Sequence, residues 1–266
     1  MSRIAACMAA LKRSGRKGVI TYVAAGDPSP ALTVPLLHEL VRAGADILEL
    51  GVPFSDPMAD GPVIQRATGR AIARGVGLRA TIDLAAQFRR EDGKTPVVLM
   101  GYANPIERMG EREFVEAAAK AGVDGIITVD YPPQECISFA NELKKRELDP
   151  IFLLSPTSTD ERIAQVAAAG AGFLYYVSLK GITGAGHLDT AAVALRIPQI
   201  RARSALPIAV GFGVRDGASA RALARMADAV VVGSRLIEDM EKAGEGGAIA
   251  AAGKLVREIR GAVDEV

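Results

Sequence analysis

Glu49 interrupts the apolar run Ile47-Leu48-Glu49-Leu50. A carboxylate in strand sequence is costly unless something pairs with it or uses it. A second carboxylate, Asp60, closes the loop that follows, in Met-Ala-Asp-Gly-Pro (58–62). Two carboxylates at one mouth can do acid–base work on a single substrate. Each also has a plainer reading. Glu49 could be half of a buried ion pair, although no other apolar run offers an obvious interior cation. Asp60 could be the N-cap of the helix that Pro62 opens. Asp56, directly before Pro57, is compatible with a simple turn.

Glycines mark a second kind of chemistry. Gly211-Phe212-Gly213 and Gly233-Ser234 follow two consecutive apolar runs, and a short helical stretch through Glu238 follows the latter. Glycine lets backbone N–H groups approach an anion, and a helix N-terminus favours negative charge. A phosphate-binding corner is the reading, with two ordinary turns as the alternative. Residues 178–190 form a loop that Gly181, Gly184 and Gly186 leave free to close over a ligand. Thr183 and Gly184 in it could add donors to the phosphate. His187 reads as a polar loop residue and His38 as a structural residue of an outer helix.

Other chemistries are excluded by what is missing. Cys7 and Cys136 are the only cysteines, and there are two histidines, so no Cys/His metal set is expected. The thiols read as free, in a reducing cytoplasm. No Gly-x-Ser-x-Gly elbow is present. The net charge is +1 without a basic face, which argues against nucleic acid. No apolar run reaches the ~20 residues of a membrane span. Residues 1–18 carry five basic side chains and no acidic one, but most of that charge follows the apolar stretch, unlike a signal peptide. Ile4, Met8 and Leu11 fall on one helix face instead, and a short amphipathic helix closing the bottom of a barrel is expected.

Eight short apolar runs are candidate strands: 19–24, 47–51, 97–102, 125–129, 151–154, 173–177, 208–210 and 229–232. Amphipathic segments lie between them, at 31–43, 63–74, 81–90, 111–121, 134–146, 160–169, 191–202 and 218–226, and a last one spans 247–262. Ala-Gly-Ala-Asp (43–46) and Ala-Gly-Val-Asp (121–124) each end a helix and begin a strand, with Met-Ala-Asp (226–228) as a looser echo. Continuous apolar strands alternating with helices imply a parallel sheet covered on its faces. Eight such units in 266 residues imply a single closed (β/α)8 (TIM) barrel over 1–266, with an extra N-terminal helix and a short extra helix after the eighth strand. No Gly-x-Gly-x-x-Gly follows the first strand, against a dinucleotide fold. In a barrel the site lies at the C-terminal strand ends. Alternation turns Ile47, Glu49 and Gly51 inward and Leu48 and Leu50 toward the helices.

Glu49, PFSDPMADGP (53–62), GYANPI (101–106), GITG (181–184), GFG (211–213) and GS (233–234), in this order and spacing over nearly the whole chain, resemble the tryptophan synthase alpha-subunit family. The resemblance implies retro-aldol cleavage of indole-3-glycerol phosphate to indole and glyceraldehyde 3-phosphate. Glu49 would be the general acid–base and Asp60 the acceptor of the indole N–H. Thr183, Gly184, Gly211, Gly213, Gly233 and Ser234 would hold the phosphate. Tyr22, Ile64, Leu99, Tyr175 and Phe212 are candidates for the indole pocket. It also implies a beta-subunit partner in an alpha2beta2 complex, touched by Asp56, Asn104 and Pro105. Pyridoxal phosphate would belong to that partner, with no cofactor in this chain. Phe54, Asp56 and Met58 are expected to be exposed beside the mouth. Ala103, Tyr131 and Leu179-Lys180 depart from the family's pattern, which bears on loop closure and partner contact.

Overall fold

Every residue of the first strand is buried, which a strand can only achieve in the middle of a layered structure. The computed structural model describes residues 1–132, 135–177, 190–211 and 213–266. Eight parallel strands, β1 (Gly18–Ala24), β2 (Ile47–Gly51), β3 (Val97–Gly101), β4 (Gly125–Thr128), β5 (Asp149–Leu154), β6 (Leu174–Val177), β7 (Ile208–Gly211) and β8 (Ala229–Val232), pair in chain order. β1 closes the ring on β8, making the expected (β/α)8 barrel.

Around the barrel run α2 (Pro30–Arg42), α3 (Pro62–Ala73), α4 (Leu78–Arg89), α5 (Ala103–Met109), α6 (Glu111–Lys120), α7 (Ile137–Lys145), α8 (Asp160–Ala169), α9 (Thr190–Arg201), α10 (Gly217–Ala224) and α11 (Ser234–Val263). No helix among the described residues is long and apolar enough to cross a membrane.

Most sequence-derived boundaries hold within one or two residues. Three do not. α5 was not expected; it is short, with Ile106 its one buried residue, so it leaves no periodic stripe to read. α7 begins at Ile137 rather than 134. The short helix expected after β8 runs past Glu238 to a break at Gly244, whose φ of 67° is left-handed, and the last helix follows it to Val263, the two together forming α11.

Side-chain alternation sorts the core into two. Ile20, Ile47, Val98, Ile127, Ile151, Phe173, Ala209 and Ala229 fill the barrel. Leu48 and Leu50 belong to the layer between sheet and helices. The N-terminal helix α1 (Arg3–Arg13) sends Ile4, Met8 and Leu11 into the barrel cluster. It enters at the strand starts, because a Cβ on Gly125, the first residue of β4, would meet Ile4 at 2.8 Å. The expected closure of the barrel floor is what the helix provides.

The Ala-Gly-x-Asp punctuation has a function beyond its glycine. Asp46 Oδ2 accepts the Val19 N–H at 2.8 Å, Asp124 Oδ2 that of Val97 at 2.8 Å, and Asp228 Oδ2 that of Ile208 at 2.8 Å. The same three aspartates donate their own N–H to the carbonyls of Val19, Val97 and Ile208. An arginine then pairs with each: Arg260 with Asp46 at 3.0 Å, Arg89 with Asp124 at 2.8 Å, and Arg201 with Asp228 at 3.0 Å. Each aspartate thus staples the start of its strand to the start of the neighbouring one.

Candidate active site

At the other end of the barrel the carboxylates have few partners. Glu49 lies opposite Tyr22 in the β1–β2 register, turned inward as alternation requires, and is 0% exposed. Neither carboxylate oxygen has a hydrogen-bond partner among the described residues. Burial alone pushes its pKa from 4.5 up to about 8. Among the described residues no ion pair forms at Glu49, and burial favours its protonated form.

The space above Glu49 is shaped by two tyrosines and two glycines. A Cβ on Gly51 would lie 2.2 Å from the Tyr22 hydroxyl, and one on Gly211 would lie 2.3 Å from that of Tyr175. Only glycine at those strand ends lets the phenols lie across them. Burial raises both phenol pKa values well above 10, and the charges of Glu49 and Asp60 raise them further. The four groups therefore share one region of low dielectric.

Asp60 reaches that region from the loop. It is not a helix cap: Gly61 holds the N-cap position of α3. Its Oδ2 accepts the Tyr102 hydroxyl at 2.9 Å, and the Tyr102 oxygen accepts the Ala59 N–H at 3.1 Å. Burial raises the Asp60 pKa, and the bond from Tyr102 opposes the rise. Gln65 of α3 donates to the Asp60 carbonyl at 2.8 Å, tying the loop's end to the helix. Tyr102 is the site residue that sequence reasoning missed. The signal for it was a phenol just past a strand end, since a buried tyrosine hydroxyl needs a partner.

The glycine corner is built from backbone. Gly213 has φ +90°, and Gly233 opens α11 with no side-chain cap, leaving the first N–H groups of that helix for an anion. Arg235 is engaged by Asp239 and the Arg215 carbonyl. Tyr22 reaches this corner too: a Cβ on Gly233 would sit 3.2 Å from Tyr22 Cβ. Thr183, Gly184, His187 and Phe212 lie outside the described residues.

Residues 8–262 match the family model described as tryptophan synthase alpha chain. The chain belongs to the tryptophan synthase alpha-chain family. It is 58% identical to the tryptophan synthase alpha chain of Janthinobacterium sp. (strain Marseille), with 100% of both chains covered. It is also 58% identical to that of Dechloromonas aromatica (strain RCB), covering 100% of this chain and 99% of the relative. The crystal structure of tryptophan synthase subunit alpha from Legionella pneumophila str. Paris matches with a TM-score of 0.93 at 42% identity, over 100% of each chain. Tryptophan synthase from M. tuberculosis, in its aminoacrylate-bound form, matches at 0.88 and 34% identity, covering 99% of this chain and 100% of that one. The chain is thereby assigned a tryptophan synthase activity, that of a lyase in tryptophan biosynthesis.

Within the tryptophan synthase alpha-chain fold, two expectations need correction. Leu99 does not face the mouth. Val98 is the inward residue, so Leu99 points to the helices, where it borders a small void with Leu78, Ile106 and Phe114; Met100 takes the inward position on β3. Phe54 is half-buried rather than exposed, its ring 5.4 Å from that of Tyr102. Ile64 is buried in the first turns of α3. Asp56 and Asn104 are exposed, Pro105 is half-buried, and Met58 is 84% exposed. Ala103 donates its N–H to Asp130 Oδ1 at 2.8 Å, and the Tyr131 hydroxyl bonds to Glu107 and Glu111. Among the described residues no cluster of His, Cys, Asp or Glu is arranged to hold a metal.

Proposed function

We propose that this barrel cleaves indole-3-glycerol phosphate to indole and glyceraldehyde 3-phosphate, with Glu49 as the general acid–base. The observation that carries the reading is the buried, unpartnered Glu49 carboxyl, whose pKa of about 8 keeps a proton available at neutral pH. Cleavage requires a proton on indole C3 and loss of the proton from the adjacent hydroxyl. Protonated Glu49 delivers the first. The C3–carbon bond then breaks, its electron pair returning to the ring, while the hydroxyl-bearing carbon becomes the aldehyde. The Glu49 carboxylate collects the hydroxyl proton and is restored to its acid form.

Protonation at C3 leaves positive charge on the indole nitrogen. Asp60 accepts the N–H and stabilises that charge, and Tyr102 holds its carboxylate in place. Tyr22 and Tyr175 would flank the indole. The phosphate would rest on the N–H groups around Gly213, Gly233 and Ser234, with Gly211, Thr183 and Gly184 completing the corner, while Phe212 would join Tyr22 and Tyr175 beside the indole. Indole would pass directly to a beta subunit that binds the pyridoxal phosphate, in an alpha2beta2 complex in the cytoplasm. Asp56, Met58, Asn104 and Pro105 form the contact surface beside the mouth, and ordering of the 53–60 loop by the partner would raise turnover.

Incubating the purified chain with indole-3-glycerol phosphate and measuring released indole tests the reaction. Indole and glyceraldehyde 3-phosphate in equal amounts are expected, at a rate that rises about 5- to 150-fold on adding the beta subunit. No indole release, alone or with the partner, overturns the reading.

A further inference from the structure

An ion network joins the two ends of the proposed site from the outside. Asp27, in the loop after β1, is 1% exposed. Its carboxylate receives two parallel bonds from the Arg70 guanidinium of α3, Nε to Oδ1 at 2.7 Å and Nη2 to Oδ2 at 3.0 Å. The remaining Arg70 arm, Nη1, reaches Glu241 on the first arm of α11 at 2.7 Å. Arg66, one turn earlier on α3, grips both oxygens of Glu241 at 3.1 and 2.9 Å. Five hydrogen bonds thus fix α3 against α11 and against the β1 loop.

Stability alone is a poor account of this arrangement. Burying Asp27 carries a desolvation cost, and apolar residues of similar volume commonly serve a helix contact as well or better. Partly exposed pairs such as Arg66–Glu241 contribute little. What bidentate pairs supply is a defined distance and angle. Here they act on the two elements that open at the mouth. α3 begins at Pro62, with Gly61 alone between it and Asp60, and holds the Asp60 carbonyl through Gln65. α11 begins at the Gly233-Ser234 corner. The Gly244 break, three residues past Glu241, separates this first arm from the rest of α11.

We infer that the Asp27–Arg70–Glu241–Arg66 network is a positioning device that fixes the separation between Asp60 and the glycine corner, and so the fit of a ligand that reaches both ends of the site. The inference rests on the proposed reaction. Arg70 and Glu241 are positioning residues: their effect on the reacting atoms runs through the helices that they hold.

Two ligands separate this role from general structural support. Indole-3-propanol phosphate spans both ends of the site, while glycerol 3-phosphate occupies only the phosphate end. In Glu241→Gln and Arg70→Lys, affinity for the spanning ligand is expected to fall at least ~10-fold with glycerol 3-phosphate binding changed less than about twofold, and kcat to fall by ~10-fold or more, on the scale set by small misplacements of reacting groups. Arg70→Lys keeps the charge beside Asp27 but not the fork, so similar losses in it identify geometry as the cause. Asp27→Asn combined with Arg70→Met removes both charges of the pair together and should show the same selective loss, which covers the case in which a single substitution fails to fold. Equal weakening of both ligands, or a fall in melting temperature with kinetics and both affinities unchanged, overturns the inference. Absence of indole release by the unsubstituted chain would instead overturn the proposed reaction, and the two failures are thereby distinguished.

Discussion

At the floor of the barrel Asp46, Asp124 and Asp228 each accept a backbone N–H and an arginine. At the mouth Glu49 accepts nothing among the described residues, and Asp60 accepts a single phenol hydroxyl. Both ends are low in solvent, so burial acts on carboxylates at each. Burial raises the pKa of Asp46 as well, but Val19 and Arg260 oppose the rise; for Glu49 nothing opposes it. The floor uses its aspartates to join strands. The mouth keeps an unsatisfied acid group, which costs stability and leaves a proton to give. This division follows the barrel rule that chemistry sits at the C-terminal face and stability at the other.

Substitutions at the two ends should therefore fail in opposite ways. Glu49→Gln is expected to give the largest change, a loss of indole release of about 10²–10⁴-fold, while the protein becomes more stable at alkaline pH. The sign follows from the raised pKa. The folded value of about 8 exceeds the unfolded 4.5, so this group's contribution is fully present below pH 4.5 and is lost as pH rises to about 8. Relative to the unsubstituted chain, the gain should be near zero at pH 4 and reach at most roughly 4–5 kcal/mol at pH 8 and above. Urea denaturation at both pH values measures it; equal stability differences at the two would show that Glu49 is not held protonated. Activity of the unsubstituted chain should likewise decline above about pH 8 as the acid form disappears.

Asp124→Ala is the mirror case. It leaves Arg89 and Arg3 without their carboxylate and the Val97 N–H without its acceptor. A loss of about 3–5 kcal/mol is expected, as for breaking a buried pair, with kcat per folded molecule unchanged at a temperature where the variant stays folded. A kcat that falls with stability would mean that the floor also shapes the mouth.

Asp60→Asn should lower kcat by about 100-fold or more with a melting temperature close to that of the unsubstituted chain, because Asp60 caps no helix. Near-normal indole release would remove it from the mechanism. The smallest effect belongs to Tyr102→Phe. The Tyr102 hydroxyl holds the Asp60 pKa down, so its loss should move the acidic limb of the pH–rate profile upward, with the alkaline limb in place. A shift of the alkaline limb would tie Tyr102 to Glu49 instead.

The parts of this arrangement that were legible in the sequence are those set by local periodicity. Alternation along Ile47-Leu48-Glu49-Leu50 was enough to turn Glu49 inward, and the spacing of Ile4, Met8 and Leu11 was enough to put α1 against the floor. Leu99, named for the pocket on the family resemblance, fails the test of alternation: Val98 and Met100 hold the inward positions, and neighbouring residues of a strand face opposite sides. What stayed hidden depends on partners far along the chain. The glycine of Ala-Gly-Ala-Asp could be read as a turn, but Arg260, which pairs with Asp46, lies 214 residues away. Tyr102 meets Asp60 across 42 residues, through a loop whose path no periodicity describes. The Arg70 fork is illegible for the same reason, since a helix of mixed polarity does not disclose which charge is buried against what.

The plug at the floor also bears on the order in which the chain can assemble. Ser2 bonds to Asp149 and Arg3 to Asp124, separations of 147 and 121 residues. A ribosome emits α1 well before either partner exists. The helix must therefore remain undocked, its Ile4, Met8 and Leu11 face uncovered, until β4 and β5 have been made and brought together. Its seating records that β4 and β5 have arrived, so a segment synthesised before β1 is held only after them, and its hydrophobic stripe needs protection while they are being made.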